Sequence, residues 1–149
     1  MKRILIAAAA LSLFGCSSLM LQPADFSWPV ESVLKADSKG MVSDTRFAVS
    51  FSIAPLLTAE RGPAQNPAGA TVRLIRDREG FYYITAPAFT HVYVFTVCDG
   101  GLKQYRKIEI GKTAMADPKL NQRDSFIELL NGSDKCALTK EGIMEGEKK

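Results

Sequence analysis

"HVYVFTVCDGGLKQYRKIEI", residues 91–110, is the stretch on which the fold turns. Asp99-Gly100-Gly101 is turn chemistry set between two runs of strand-forming residues, the signature of an antiparallel hairpin. The first arm does not alternate between apolar and polar. Tyr93, Phe95 and Val97 make one face apolar, and Val92, Val94 and Cys98 do the same for the other. A strand with one wet face alternates, so this arm predicts cover on both sides. In the second arm Lys103, Arg106 and Lys107, with Lys112 beyond, are interrupted by Glu109 and read as the solvated face of a strand.

The same period of two runs outward from this hairpin. "TVRLIRDREGFYYIT", residues 71–85, reads as a second hairpin about a polar turn at Asp77 to Gly80. "TRFAVSFSI", residues 45–53, alternates with Phe47, Val49, Phe51 and Ile53 on one face, and predicts a half-buried strand. "VESVLKADSKGMV", residues 30–42, gives a strand, a turn at Asp37 to Gly40 and the start of another segment. "APLLTAE" adds one helical turn, and "RGPAQNPAG" is a loop by its Pro, Gly and Asn content. "TAMADPKLNQRD", residues 113–124, reads as a loop. "SFIELLNG" reads as a last strand or short helix before a turn at Asn131, and "TKEGIMEGEKK", residues 139–149, as a charged disordered tail. The sum is a mainly β fold, a small antiparallel sandwich or barrel of six to eight strands with little helix, over residues 30–138. Residues 80–110 resemble one blade of a six-bladed propeller, but no second copy occurs at a blade-length period, which sets the propeller aside.

The N-terminus follows a different rule. Lys2 and Arg3 precede an apolar run, Ile4 to Phe14, that is too short for a bilayer span of roughly 20 residues. Leu13-Phe14-Gly15 then leads directly into Cys16. This resembles the lipobox of bacterial lipoproteins. The resemblance implies a signal peptide over residues 1–15 and a diacylglycerol on Cys16; the stretch that follows, to residue 29, reads as a tether (16–29 with the lipidated Cys) with Trp28 as its docking point. Ser17, in place of an Asp, implies sorting to the outer membrane, facing the periplasm. One acyl chain binds a bilayer marginally, whereas two or more anchor stably.

Composition bounds what the domain does. With 46% hydrophobic and 23% charged residues it has the make-up of a globular core. The formal charge of +3 includes Lys2 and Arg3 of the leader, leaving about +1, which argues against nucleic acid as a partner. With Cys16 lipidated, Cys98 and Cys136 remain as a pair in an oxidising compartment, so a disulfide between them is expected, with two separate buried thiols as the alternative. A single histidine and no close carboxylate cluster leave no metal site, and no cofactor is expected.

Catalytic patterns fail one by one. "SVLK", Ser32 to Lys35, matches S-x-x-K but lies in a β-patterned stretch, and "GKT" at Gly111 to Thr113 lacks the earlier glycine of a phosphate loop. His91 heads an apolar strand without a nucleophile motif, so it reads as structural. Three functions survive. The first is a non-enzymatic interaction module held at the bilayer by Cys16, engaging an envelope protein or cell-wall partner through sheet edges and the loops at 61–69 and 113–124. The second is a barrel that binds an apolar or lipid-like ligand, fitting the aromatics Phe81, Tyr82, Tyr83, Phe89, Tyr93 and Phe95, with Phe81, Tyr83, Tyr93 and Phe95 as its ligand-facing set. The third is an envelope hydrolase, which requires carboxylates converging on His91.

Overall fold

The computed structural model describes residues 30–144. Cys16, the leader, the tether and the end of the tail lie outside that range. The chain is mainly β, as the periodicity implies: among the described residues there are a five-stranded, a four-stranded and a two-stranded antiparallel sheet, with one helix. The strands there number eleven rather than six to eight, and they do not close into a barrel.

The central sheet runs β1(Ser32–Lys35), β4(Thr71–Arg76), β5(Tyr82–Thr85), β6(His91–Cys98), β7(Gly101–Glu109) in spatial order. Both hairpins read from the sequence are present. In the β4–β5 turn Asp77 Oδ1 accepts the Phe81 N–H at 2.8 Å, and Gly80 takes the positive φ of 95° that closes the turn. Side chains of paired residues share a face. One face therefore carries Leu74, Ile84 and Tyr93 in a row, and the other Ile75, Tyr83 and Val94, all at most 1% exposed. This is the two-sided cover that the first arm of the central hairpin demands. It ends before the strand does: Val97 is 61% exposed, because β6 and β7 run past the layers that cover them.

The first face lies under the hairpin β2(Met41–Asp44)–β3(Val49–Ser52) and the helix α1(Ala54–Arg61). The strand expected over 45–53 starts only after Ala48, whose φ of 51° breaks the extended run, and Phe47 sits in that turn with its ring 5.8 Å from Tyr82. The helix makes two turns rather than one. Pro55 suits its first turn, Leu56 and Leu57 are buried beneath it, and Gly62 ends it at a φ of 83°.

The second face packs on β8(Pro118–Gln122), β9(Ile127–Asn131), β10(Asp134–Thr139) and β11(Gly142–Ile143), in the order β11-β10-β9-β8. Two sequence readings are corrected here. The segment 113–124 is not all loop, because Pro118, Leu120 and Gln122 alternate inward as β8 against β9. The tail at 139–149 begins folded, since Gly142 and Ile143 pair with Thr139 and Leu138, and the Glu141 carboxylate accepts from Tyr105 at 3.0 Å. The turn at Asn131-Gly132 is as read.

Arg73 and Glu31 fasten this sheet to the central one. Arg73 donates to Glu31 at 2.8 Å and Asp117 at 2.9 Å, while the other Glu31 oxygen accepts the Leu120 N–H of β8 at 2.8 Å. Arg73 and Glu31 side chains are 15% and 13% exposed, so removing one partner strands a nearly buried charge. Glu31→Ala is expected to cost about 2 kcal/mol or more, read as a lower urea midpoint at unchanged m. A midpoint equal to wild type would show that the pair does not hold the sheets.

Candidate functional site

Two features meet at Tyr93 on the face under α1. The first is a polar cluster. Glu60, in the last turn of α1, has a side chain only 1% exposed. Its Oε2 accepts from the Thr90 N–H at 2.7 Å and the Thr90 hydroxyl at 3.0 Å. Its Oε1 accepts from the Tyr93 hydroxyl at 2.6 Å, lies 2.8 Å from His91 Nδ1, and has Lys107 Nζ at 4.0 Å. Burial alone would raise the Glu60 carboxyl, but the hydrogen bonds from Tyr93 and Thr90, with His91 beside them, outweigh it and hold the pKa below its ordinary 4.5. Tyr93 moves the other way: burial, then its bond to Glu60 and that charge, push the phenol above its ordinary value. The carboxylate thus stays charged and the phenol stays a donor across neutral pH.

His91 therefore does meet a carboxylate, the geometry that the hydrolase reading requires. Every oxygen of that carboxylate, however, is taken by α1-to-sheet contacts. The pair resembles a rivet between helix and sheet more than an open acid–base site, and among the described residues no cluster of three metal-ligating side chains accompanies it. Ser32, the other candidate nucleophile, lies in β1 and donates its hydroxyl to buried Asp44 while accepting from Arg46.

The second feature is a groove of about 760 Å³ beside the cluster. Tyr82, Tyr93 and Phe95 of the central sheet floor it, and Phe47, Phe51 and Leu56 form the facing wall. Ala59 lines it next to Glu60, so the Tyr93 ring belongs to the groove and its hydroxyl to the cluster.

The four aromatics expected as one ligand-facing set are split between two faces. Phe95 pairs with Tyr82, not Tyr83, so Tyr93 and Phe95 face the groove while Phe81 and Tyr83 point to the four-stranded sheet. There Tyr83 donates to Asp77 at 3.1 Å, and Phe81 packs edge-on against Tyr105 under Lys140. A register offset of one residue does this. Phe47 and Phe51, which alternation alone put on an apolar face, belong to the groove; Glu60 carries no sequence signal beyond its place in a helical turn.

The expected disulfide is absent: Cys98 and Cys136 are not bonded. Cys98 lies opposite Gly101, the first residue of β7, whereas Cys136 in β10 shares a pocket with Ile110 and Gly111, just beyond the last. A strand of that length separates them by roughly 30 Å. A disulfide needs Cα atoms within about 7 Å. Comparison with known protein families, curated proteins and solved structures gives no match to this chain.

The cluster predicts an acid dependence. A carboxylate whose folded pKa is depressed stabilises the fold fully above its unfolded value and loses that contribution as pH falls through the folded value. Glu60→Gln is expected to lower stability at pH 7 by about 1–3 kcal/mol, seen as a Tm drop of several degrees. The gap to wild type should narrow as pH falls below 4.5, where Glu60 of the unfolded chain takes up its proton while the native carboxylate still resists it, and should be smallest once the pH is below the lowered folded value. A gap unchanged down to pH 3 would mean that the charge of Glu60 is not what stabilises the contact.

Proposed function

We propose that the chain is a bacterial envelope lipoprotein whose β-rich domain acts without catalysis, as an interaction module for an envelope protein or cell-wall partner. The observation that carries the reading is the outer strand of the central sheet. Among the described residues β7 pairs only with β6, and seven of its nine residues are exposed. Its outer row of main-chain N–H and C=O groups is a template for an added strand. Arg106 is matched by Glu141 and Lys107 stands near Glu60, but Lys103 makes no salt bridge among the described residues and repels a second copy of itself, and the register shift facing Val94 and Phe95 bends the strand. Both features select an extended segment that carries carboxylates over indiscriminate pairing.

The anchor half of the proposal rests on "LFGC" at residues 13–16. Acylated Cys16 in the outer-membrane inner leaflet, followed by about a dozen residues, keeps the domain within roughly 40 Å of the bilayer. That confinement raises the effective concentration toward other membrane-held partners. A non-catalytic role is supported by Glu60, the carboxylate beside His91, being committed to joining α1 to the sheet.

A photoreactive amino acid at position 103 in living cells tests the surface, with exposed position 39 in the turn between β1 and β2 as comparison. One envelope partner is expected to crosslink from 103 and not from 39, and the crosslink should weaken when Cys16→Ser moves the protein to the soluble periplasmic fraction. Equal crosslinking from both positions, or a Cys16→Ser protein that stays with the membrane, would overturn the proposal.

A further inference from the structure

We infer that the groove between the central sheet and the β3–α1 segment binds the aliphatic chain of a free fatty acid, with Arg76 holding its carboxylate. Nineteen residues line the groove and none is charged, in a chain of which 23% is charged. Its volume of about 760 Å³ lies within the usual span of small-molecule sites, roughly 300–1,000 Å³. At its mouth Val97 leaves apolar surface open to water, which an alkyl chain would cover.

Three of the polar side chains along the walls are already engaged. Ser50 donates to the Val42 carbonyl at 3.1 Å, Ser52 accepts the Ala54 N–H at 3.3 Å, and the Tyr93 hydroxyl is given to Glu60. A peptide in the groove would bring main-chain groups with few partners, at a desolvation cost that an alkyl chain does not meet. Hydrocarbon fits the walls better.

A cation stands at one end of the floor row. Arg76, Tyr82, Phe95 and Gln104 form one transverse row across four strands, in the pairing register of the sheet. At about 4.8 Å per strand the row spans roughly 15 Å. The Arg76 guanidinium sits 5.6 Å from the Tyr82 ring and makes no salt bridge among the described residues. Arg46, 5.2 Å from the Phe47 ring on the opposite wall, is already matched by Asp44. Arg76 is thus the uncompensated cation beside an uncharged trough, the arrangement that an anionic headgroup with a single tail complements. β7 lends Gly101, Leu102 and Gln104 to the groove lining, but the strand-addition surface is its outer main-chain edge, and the tail-length and Arg76 tests below read the groove alone.

Calorimetric titration of the full chain carrying Cys16→Ser, with octanoate, decanoate and dodecanoate below their micellar concentrations, tests the site. One-to-one binding is expected, tightening roughly three- to fourfold per added methylene. Arg76→Gln should weaken dodecanoate about tenfold and leave dodecanol unchanged. Val97→Asp, at a position 61% exposed, should weaken both while leaving Tm within a few degrees of wild type. Absence of saturable dodecanoate binding, an affinity independent of chain length, or an Arg76→Gln variant that binds dodecanoate as wild type does would overturn the inference.

Discussion

The central sheet has no wet face over its middle strands, and the rest of the architecture answers that constraint. Leu74, Ile84 and Tyr93 on one side, and Ile75, Tyr83 and Val94 on the other, each gain about 1.5–3 kcal/mol by leaving water, provided that something covers them. The β2–β3 hairpin with α1 covers the first set and the four-stranded sheet the second. Apolar contact has no direction, so each covering layer also carries one directional fastening. Glu60 holds α1 to β6 through Tyr93, and Arg73 with Glu31 holds β8 to β4 and the start of β1. Each fastening buries a charge whose partners come from a different layer, so a layer that slid would lose several hydrogen bonds at once.

What the sequence made legible was local. The turns at Asp77 to Gly80 and Asp99 to Gly101 rest on residues that close hairpins by their own chemistry, and the two-sided apolar run of β6 states its burial directly. β8 was hidden because its inward positions include Pro118 and Gln122, which do not count as apolar, while Asp117, Lys119 and Asn121 look like loop. β10 was hidden by the charged Asp134 and Lys135 at its start, and β11 by its length of two residues. The site was the least legible part. Glu60 and His91 are 31 residues apart and meet only because α1 lies across β6. The aromatics were visible as residues, but their division between two faces depends on a pairing register that composition does not encode. The same holds for Cys98 and Cys136, whose separation is set by the length of β7.

Tyr93 joins structure to surface. Its ring is 1% exposed to solvent and floors the groove, while its hydroxyl is one of the donors that keep Glu60 ionised. The groove is therefore built on a residue whose rotamer is fixed at both ends, by packing on the ring and by a charge-assisted bond at the tip. A floor held in this way is preorganised, and filling it requires little rearrangement of the sheet beneath.

The tie between Glu31 and Leu120 spans 89 residues, and that span governs the order in which the domain can assemble. β1 finds its in-sheet neighbour only when β4 is available, some forty residues later, and its fastening to the second sheet only when β8 arrives. Closing such distant contacts costs loop entropy before any of it is repaid, which places the domain among the slow, nonlocal folders that complete in milliseconds to seconds. A chain made or exported from its N-terminus thus carries its first strand unsatisfied until most of the remainder has followed. The hairpins about Asp77 and Asp99 need only their own residues, so nucleation belongs to the middle of the chain and the two ends condense onto it.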